Sequence, residues 1–420
     1  MGFASTWLDE RALFPEFIKE APDEDTGIIV VVPAYNEPGI TELLNSLASC
    51  DEPDCKAEVM VVVNAPANAS EESIRNNKEC ISNIESWKEK YSDSFFRLFA
   101  FNVIRPSLTG WGVGLARKTG MDEAIRRFNI IGKTEGVIVN LDADCLVAKN
   151  YFTSLCNELL KKPERSACSL YFEHPLAGSS NHEHNYIFIT WYELHLRYYL
   201  QGIKYAGFPF PFHTVGSALA VKALPYIKAG GMNRRQAGED FYFIQKLAPA
   251  GGYFTLNSTT VYPSPRASLR VPFGTGATVS RLTEENSGTL FTYNVQAFND
   301  LHLFFKTICK YYYYSDEESE NNYFSLPEGL RSFIDFQQMN MKIQEIRRNT
   351  SGPESFRKRF FGWFNMFRIV KYLNRVHEER FEKVAVTESA SELLKVIGIK
   401  FTSKDASDLL KFYRSMEKNS

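Results

Sequence analysis

The sequence has few of the features that mark secreted, zinc-binding or disulfide-rich proteins. Its seven cysteines are scattered through 420 residues and form no Cys-x-x-Cys pair. Neither a zinc site nor a disulfide framework is therefore indicated, and the pattern is typical of a reducing compartment. The first residues show no basic segment followed by an apolar one, so we expect no signal peptide and a cytoplasmic location.

Long apolar runs and a strong net charge are also missing. An uncharged and largely apolar stretch, residues 206–221, is interrupted by Pro209, Pro211 and Gly216, and it falls short of the roughly 20 apolar residues that a membrane helix needs. The formal net charge of -2 gives no reason to expect nucleic acid as a partner. We expect a soluble protein, or one attached peripherally to the cytoplasmic face of a membrane.

Alternating strand and helix patterns fill the first third of the chain. Apolar, β-branched runs predict strands, and the amphipathic segments between them predict helices. The predicted strands are at 27–33, 57–63, 95–103 and 137–141, and the predicted helices at 40–47, 70–90 and 110–128. This alternation indicates βαβ units, so we predict an α/β fold with a mostly parallel, Rossmann-like sheet flanked by helices.

The rest of the chain continues this pattern more loosely and then becomes helical. Further strands are predicted at 166–172, 217–221 and 253–262, and helix dominates from about residue 294. The acidic stretch at 315–320 is expected to break the helical region.

Two carboxylates stand at the end of the predicted strand 137–141. Asp142 and Asp144 are spaced i and i+2, which places both on one face of an extended chain. The carboxyl end of a parallel strand is where open α/β sheets bind ligands. Two carboxylates suit Mg²⁺ or Mn²⁺ that is shared with a substrate phosphate. The alternative is a solvated pair that caps the following helix.

Polar residues also follow the neighbouring predicted strands. Pro33-Ala-Tyr-Asn-Glu37 ends the first strand, and Asn64 ends the second. Because the carboxyl ends of neighbouring parallel strands converge, we predict that these residues and the acid pair form one rim. Arg117 and Lys118, in the helix that follows Gly110, offer positive charge to a diphosphate; the alternative is that both lie on a solvated helix face.

Taken together, these motifs resemble glycosyltransferase family 2, whose members have the GT-A fold. The resemblance rests on four motifs that occur in order: Pro33-Ala-Tyr-Asn-Glu37, Gly114-Leu-Ala-Arg-Lys-Thr-Gly-Met-Asp122, Asp142-Ala-Asp144, and Gly238-Glu-Asp240 before an apolar helix. They span roughly residues 27–265. The family uses nucleotide-diphosphate sugars and inverts the anomeric centre, and the resemblance implies the same activity here.

The resemblance also implies roles for single residues. Asp240 matches the family's catalytic base, Glu239 lies beside it near the acceptor, and Asp144 would ligate Mg²⁺ or Mn²⁺. Asp142 would contact the same metal or the ribose. We expect donor contacts from Pro33, Ala34, Tyr35, Glu37, Asn64, Arg117 and Asp142.

The chemistry of inverting transfer agrees with these roles. A single displacement needs one general base near the acceptor hydroxyl, and the departing diphosphate needs its charge neutralised, which a metal supplies. Free backbone N–H groups at a helix N-terminus lower the basicity of a carboxylate, so Asp240 has to be partly buried to act as the base. The alternative is that Gly238-Glu-Asp240 only caps a helix.

The resemblance divides the chain into two regions. We interpret residues 1–290 as a GT-A catalytic domain, with a nucleotide-sugar half at about 27–145 and an acceptor half at about 146–290. Residues 291–420 form a mainly helical C-terminal region outside the resemblance. Its segment 356–372 has aromatic residues at helical spacing with basic residues between them. We interpret these aromatics as a packing face, the alternative being contact with an anionic membrane.

Departures from the family pattern bear on the substrates. Asn64 stands where many members of the family have an acidic residue. Its side-chain amide can still form a hydrogen bond with the edge of a nucleotide base. We favour a UDP-sugar over a GDP-sugar as the donor. No Gln-x-x-Arg-Trp sequence, typical of processive synthases, occurs, which favours single additions. The acceptor hydroxyl is expected on a growing glycan, as in polysaccharide biosynthesis, on a lipid-linked sugar or on a small molecule. Loops 207–215 and 264–276 would set the choice, and His213 is a candidate acceptor contact.

Two other functions stay open at this stage. A sugar-nucleotide nucleotidyltransferase also has a doubly wound sheet and metal-binding aspartates, but it needs a Gly-x-Gly-Thr-Arg type of loop where this chain has Pro33-Ala-Tyr-Asn-Glu37. A catalytically silent homologue would bind sugar nucleotides or act as a scaffold. The presence of Asp142, Asp144 and Asp240 argues against the silent homologue.

Overall fold

The computed structural model describes residues 2–104, 111–178, 183–235, 238–266, 274–285 and 288–419. The chain forms two compact units. The first comprises Met1–Ser179 and Thr214–Ser280, and the second comprises Ser180–His213 and Arg281–Ser420. The sequence-based interpretation placed a single boundary at residue 290; the structure instead groups the segment around residues 180–213 with the C-terminal helices.

The first unit is built on one large sheet. Within the described residues its eight strands lie in the order β3-β2-β1-β4-β7-β6-β8-β5. Their bounds are β1 (Thr26–Ala34), β2 (Lys56–Ala65), β3 (Phe96–Ile104), β4 (Val137–Asn140), β5 (Leu146–Val147), β6 (Ala167–Phe172), β7 (Leu219–Lys222) and β8 (Tyr253–Tyr262). In the second unit, the short strands β9 (Phe291–Thr292) and β10 (Val384–Ala385) pair antiparallel.

The strands predicted in the first third of the chain pair in parallel. β1 lies between β2 and β4, and β3 pairs with β2. Ile28 to Val32 are completely buried, as expected for a strand that is covered on both faces. Since β1, β2 and β4 run in the same direction, their carboxyl ends open at one edge of the sheet. The predicted α/β fold class is confirmed.

Two reversed strands complete the sheet. β7 runs antiparallel to β4 and β6, and β5 runs antiparallel to β8, while β6 and β8 are parallel. The sheet is therefore mostly parallel, as predicted. β5 begins directly after the acid pair, and Leu146 is in register with Tyr262 at the end of β8. This antiparallel register brings the residues that follow β8 next to Asp144.

Helices flank the sheet and form most of the second unit. In the described residues they are α1 (Ser5–Arg11), α2 (Ile40–Ala48), α3 (Glu71–Lys90), α4 (Val113–Ile130), α5 (Tyr151–Leu155), α6 (Glu183–Ala206), α7 (Ala223–Lys228), α8 (Glu239–Leu247), α9 (Thr275–Glu284), α10 (Val295–Thr307), α11 (Asp316–Ser325), α12 (Glu328–Phe333), α13 (Phe336–Arg348), α14 (Pro353–Trp363), α15 (Met366–Glu379), α16 (Val386–Val396) and α17 (Ala406–Lys418). No helix of these described segments is long and apolar enough to cross a membrane.

Helix α4 is buried on nearly all sides because it lies close to the sheet. At Gly120 a Cβ atom would lie 2.4 Å from a Val31 methyl group and 2.9 Å from a Val62 methyl group. A larger residue would therefore push α4 away from β1 and β2. The first turns of this helix carry Arg117 to the edge where β1, β2 and β4 end.

The aromatic segment 356–372 packs inside the second unit. Phe356, Phe360 and Phe361 on α14 are buried, and the ring centroid of Phe360 is 5.6 Å from that of Phe304 on α10. The basic residues between them, such as Lys358, face outward. This aromatic face is thus occupied by intramolecular packing, in line with the packing interpretation.

The prediction of a break at the acidic stretch 315–320 was wrong. Ser315 is the N-cap of α11, and it forms a capping box with Glu318. Acidic side chains in the first turn stabilise a helix because they face the positive end of its dipole. The acidic cluster therefore starts a helix here.

Candidate active site

The acid pair lies at the edge where the parallel strands end. β4 ends at Asn140, and the Leu141 amide donates to the Val31 carbonyl of β1. Asp142 and Asp144 follow directly, with side chains that are 37% and 26% exposed. Both carboxylates are thus within reach of a ligand at this edge, although each of them is already paired with an arginine.

Arg117 connects the acid pair to the start of α8. Its guanidinium donates to Asp142 at 2.5 Å and also to Glu239. Burial of Arg117 opposes its charge, but the nearby carboxylates of Asp142, Glu239 and Asp240 outweigh this and raise its pKa. Arg117 is therefore charged at any working pH, and its burial excludes the solvated helix face.

Gly216 leaves the space that the guanidinium of Arg117 occupies. A Cβ atom at Gly216 would lie 2.1 Å from Nη1 of Arg117. This is far closer than real Cβ atoms approach, so a side chain at Gly216, three residues before β7, would force the guanidinium of Arg117 to shift.

The first turn of α8 presents two neighbouring carboxylates. Gly238 is the N-cap, with a left-handed backbone (φ 71°), so Glu239 and Asp240 belong to the helix itself. The Phe241 amide donates to Asp240 at 2.7 Å. Burial, and then repulsion from Glu239, raise the pKa of Asp240 to about 7, although Arg117 and the Phe241 amide act in the opposite direction. A half-buried carboxylate with this pKa is suited to general-base chemistry near neutral pH.

A second arginine occupies the donor side of the rim. Arg266, four residues after β8, donates to Glu37 and lies 2.9 Å from an Asp144 oxygen through Nε. Glu37 is buried, whereas the Arg266 side chain is 40% exposed. Sequence reasoning missed Arg266, because only the pairing of β5 with β8 brings it to the acid pair.

The ends of β1 and β2 form the remaining part of the rim. Pro33 and Ala34 are the last residues of β1. The hydroxyl of Tyr35 donates to Ser73 at 3.3 Å, and its ring meets Trp111 edge to face, with 5.2 Å between centroids. Trp111 was also missed from the sequence, although the neighbouring glycines of Gly110-Trp-Gly112 point to a loop that approaches a ligand.

Asn64 at the end of β2 is buried, and hydrogen bonds fix the orientation of its side chain. Its amide nitrogen donates to the Gly112 carbonyl at 3.1 Å, and its backbone carbonyl accepts from Asn77. Asn77 in turn accepts from the amide of Asn36, which has a positive φ of 57°. These bonds fix the turn that follows β1 beside the turn that follows β2.

Two residues that were considered as substrate contacts, Lys118 and His213, instead pair with other protein side chains. The Lys118 ammonium pairs with Asp122 on the same helix at 2.8 Å and lies over the ring of Trp7. His213 belongs to the second unit, where its Nε2 lies 3.1 Å from Glu417. Of the predicted loop 264–276, residues 267–273 lie outside the described residues.

The donor set at the rim fits a hard divalent cation. In the described residues no group of three or more His, Cys, Asp or Glu side chains is arranged as a metal cage. Mg²⁺ and Mn²⁺ do not require one, because they are commonly held by one or two carboxylates, with substrate phosphates and water as the other ligands. Asp142 and Asp144 supply two carboxylates of this kind.

A comparison with protein families matches the central part of this chain. Residues 137–314 match the family model described as glycosyl transferase family group 2. The matched segment contains both the acid pair and Gly238-Glu-Asp240. This part of the chain is therefore similar to a glycosyltransferase family, the one that the motifs resemble.

Three similar solved structures have a nucleotide or a nucleotide sugar bound. S. aureus TarS 1–349 in complex with UDP-GlcNAc has 16% sequence identity and a TM-score of 0.38, and the match covers 94% of this chain and 92% of that chain. Mannosyltransferase PcManGT from Pyrobaculum calidifontis in complex with GDP-Man and Mn²⁺ has 15% identity and a TM-score of 0.37, with 99% of this chain and 92% of that chain covered. Glucosyl-3-phosphoglycerate synthase from Mycobacterium tuberculosis in complex with Mn²⁺, UDP and phosphoglyceric acid has 15% identity and a TM-score of 0.34, with 58% of this chain and 77% of that chain covered. These scores are too low to transfer residue roles or substrates. A search of curated proteins gives no significant match.

Proposed function

We propose that this protein moves a sugar from a nucleotide-diphosphate sugar to a hydroxyl acceptor by metal-dependent, inverting transfer. The observation that carries the proposal is the Arg117 bridge, which links Asp142 of the acid pair to Glu239, the neighbour of Asp240. Asp142 and Glu239 thus share one arginine, and the candidate base Asp240 interacts electrostatically with the same guanidinium. A single displacement needs this closeness, because base, acceptor and leaving group act together.

The charge of the cluster supports the need for a divalent cation. Five carboxylates, those of Glu37, Asp142, Asp144, Glu239 and Asp240, are gathered around two arginines. A donor diphosphate adds more negative charge, so its approach is unfavourable without a cation. Asp142 and Asp144 would hold Mg²⁺ or Mn²⁺. When bound, such an ion neutralises the leaving diphosphate as a Lewis acid.

Asp240 is the general base of the proposed reaction. With a pKa raised to about 7, its carboxylate is basic enough to take a proton and is still substantially ionised at neutral pH. The acceptor oxygen attacks the anomeric carbon while the bond to the diphosphate breaks, and Asp240 takes the proton of the acceptor hydroxyl. One displacement of this kind inverts the anomeric centre.

The turns after β1 and β2 suit a uracil base. Tyr35 and Trp111 offer an aromatic surface for stacking. One N–H of the Asn64 side chain donates to Gly112. Its side-chain oxygen can accept a hydrogen bond, and uracil presents an N–H donor for it. We therefore favour a UDP-sugar, with a hydroxyl of a glycan, a lipid-linked sugar or a small molecule as acceptor.

Calorimetry with UDP- and GDP-sugars, each with and without Mn²⁺, tests the proposal. We expect UDP-sugars to bind in the presence of Mn²⁺ and to lose at least about tenfold in affinity without it. Asp144→Asn should lose this dependence on Mn²⁺, because it removes one metal ligand. Asp93→Asn, at an exposed position of the same unit, is the matched control and should behave like the wild type.

Two outcomes would overturn the proposal. One is that no nucleotide sugar binds under any condition, which would favour a scaffold protein. The other is that the wild type binds equally well with and without Mn²⁺, which would remove the metal from the proposed function.

A further inference from the structure

Arg266 contacts two carboxylates at the edge of the sheet where β1 and β4 end. The proposed transfer reaction does not use this contact. One nitrogen of its guanidinium donates to the buried Glu37, and Nε lies 2.9 Å from Asp144. Arg266 thus places a positive charge beside the same carboxylate that would ligate the metal. A side chain in this position competes with a cation for Asp144.

The backbone that precedes Arg266 is restricted, so we attribute the exchange to its side chain. β8 pairs with β5 up to Tyr262, and Pro263 and Pro265 then restrict the backbone. The Arg266 amide donates to Ser264. With 40% of its side chain exposed, the guanidinium can leave Asp144 without leaving a buried cavity behind.

We propose that Arg266 is an exchangeable counter-ion of the donor site. It neutralises Glu37 and Asp144 before the donor arrives, gives up Asp144 when the metal enters, and then binds the diphosphate of the donor. This inference rests on the proposed function, since it assumes a metal and a diphosphate at this rim.

The chemistry of the guanidinium favours this exchange over a purely structural pair. Its planar array of N–H donors binds phosphate oxygens as well as carboxylates, often through two parallel bonds. Glu37 keeps Arg266 at the rim while Asp144 changes partner, so the cation stays beside the incoming diphosphate.

The proposal predicts opposite changes in two affinities when the charge of Arg266 is removed. In Arg266→Gln, the affinity for Mn²⁺ alone should rise about tenfold, because a competing cation is lost, whereas the affinity for UDP at saturating Mn²⁺ should fall about tenfold. Arg266→Lys should lie between the wild type and Arg266→Gln in both measurements, because it keeps the charge but loses the planar donors.

Manganese binding is followed by the electron paramagnetic resonance of free Mn²⁺, and UDP binding by calorimetry. Arg75→Gln removes the same charge from an exposed position of the same unit and should change neither affinity. The inference is overturned if Arg266→Gln lowers both affinities together or changes neither of them. Failure of the wild type to bind UDP with Mn²⁺ would contradict the proposed function itself.

Discussion

At the scale of single residues, the site is organised by two arginines that divide four carboxylates between them. Arg117 holds Asp142 and Glu239, and Arg266 holds Asp144 and Glu37. Arg117 is buried, whereas Arg266 is partly exposed. This difference suggests that Arg117 is a fixed part of the site and that Arg266 exchanges its partners.

Gly216 offers a direct test of the fixed arginine. Replacing it with alanine would place a Cβ atom 2.1 Å from Nη1 of Arg117, so the guanidinium has to leave Asp142 or Glu239. A displacement of this size in an active site costs up to about 100-fold in rate. We expect Gly216→Ala to reduce donor turnover by about 10- to 100-fold, measured as release of the nucleoside diphosphate.

The matched control for this variant is Gly362→Ala. A Cβ atom at Gly362 would meet no heavy atom within 4 Å, and alanine favours the helix in which this residue lies. Gly362→Ala should keep the wild-type rate. Equal rates for Gly216→Ala and Gly362→Ala would show that the position of Arg117 does not matter for turnover.

At the scale of secondary-structure elements, much of the first unit was predictable from local patterns. The run Ile28 to Val32 is apolar and β-branched because both faces of β1 are covered, so the composition reports burial directly. The acid pair was recognisable for a related reason, since Asp142 and Asp144 stand immediately after such a buried strand. Periodicity also predicted α2 and α3 to within a residue or two.

Other features depended on pairing that no local pattern encodes. The direction of β7 follows from its contacts with β4 and β6, and a strand of either direction has the same composition. Arg266 reaches Asp144 only because β5 pairs with β8, so its role was invisible in the sequence. The place of α6 in the second unit is likewise set by tertiary packing.

The contact between α6 and α17 also depends on tertiary pairing that no local sequence pattern encodes. Arg197 on α6 is completely buried between Glu193 and Glu417, and Arg414 on α17 donates twice to Glu193. Burial opposes the charge of Glu417, but His213 and Arg197 outweigh it and hold its pKa below the ordinary value. Glu417 therefore contributes stability above the ordinary pKa of a glutamate, and this contribution is lost as the pH falls through its lowered pKa.

We expect Glu417→Gln to destabilise the attachment of α17 by about 3 kcal/mol, because it leaves the charge of Arg197 buried and poorly compensated. Hydrogen exchange of the α17 amides at neutral pH measures this change as reduced protection. Lys411→Gln, at an exposed position of the same helix, is the control. Wild-type protection of α17 in Glu417→Gln would contradict the stabilising role of this network.

At the scale of the whole molecule, the residues of the proposed chemistry are concentrated in one of the two compact units. The carboxylates of the donor rim, both arginines and the candidate base Asp240 all belong to the first unit. The second unit is largely helical and contains His213 in its own buried ion network. His213 as an acceptor contact stays a prediction.

The central claim is that Asp240 is the base of an inverting transfer, and the pH dependence of turnover tests it most directly. The measurement is kcat/KM for the hydrolysis of a UDP-sugar, with water as acceptor and Mn²⁺ present. Because the carboxylate of Asp240 has to be ionised and its pKa is raised to about 7, kcat/KM should rise about tenfold per pH unit below that value and level off above it.

Asp240→Asn should bind the same UDP-sugar with nearly wild-type affinity, and its turnover should be about 100- to 10,000-fold slower without the rise near pH 7. A variant that keeps the wild-type rate, or the wild-type pH profile, would contradict the account.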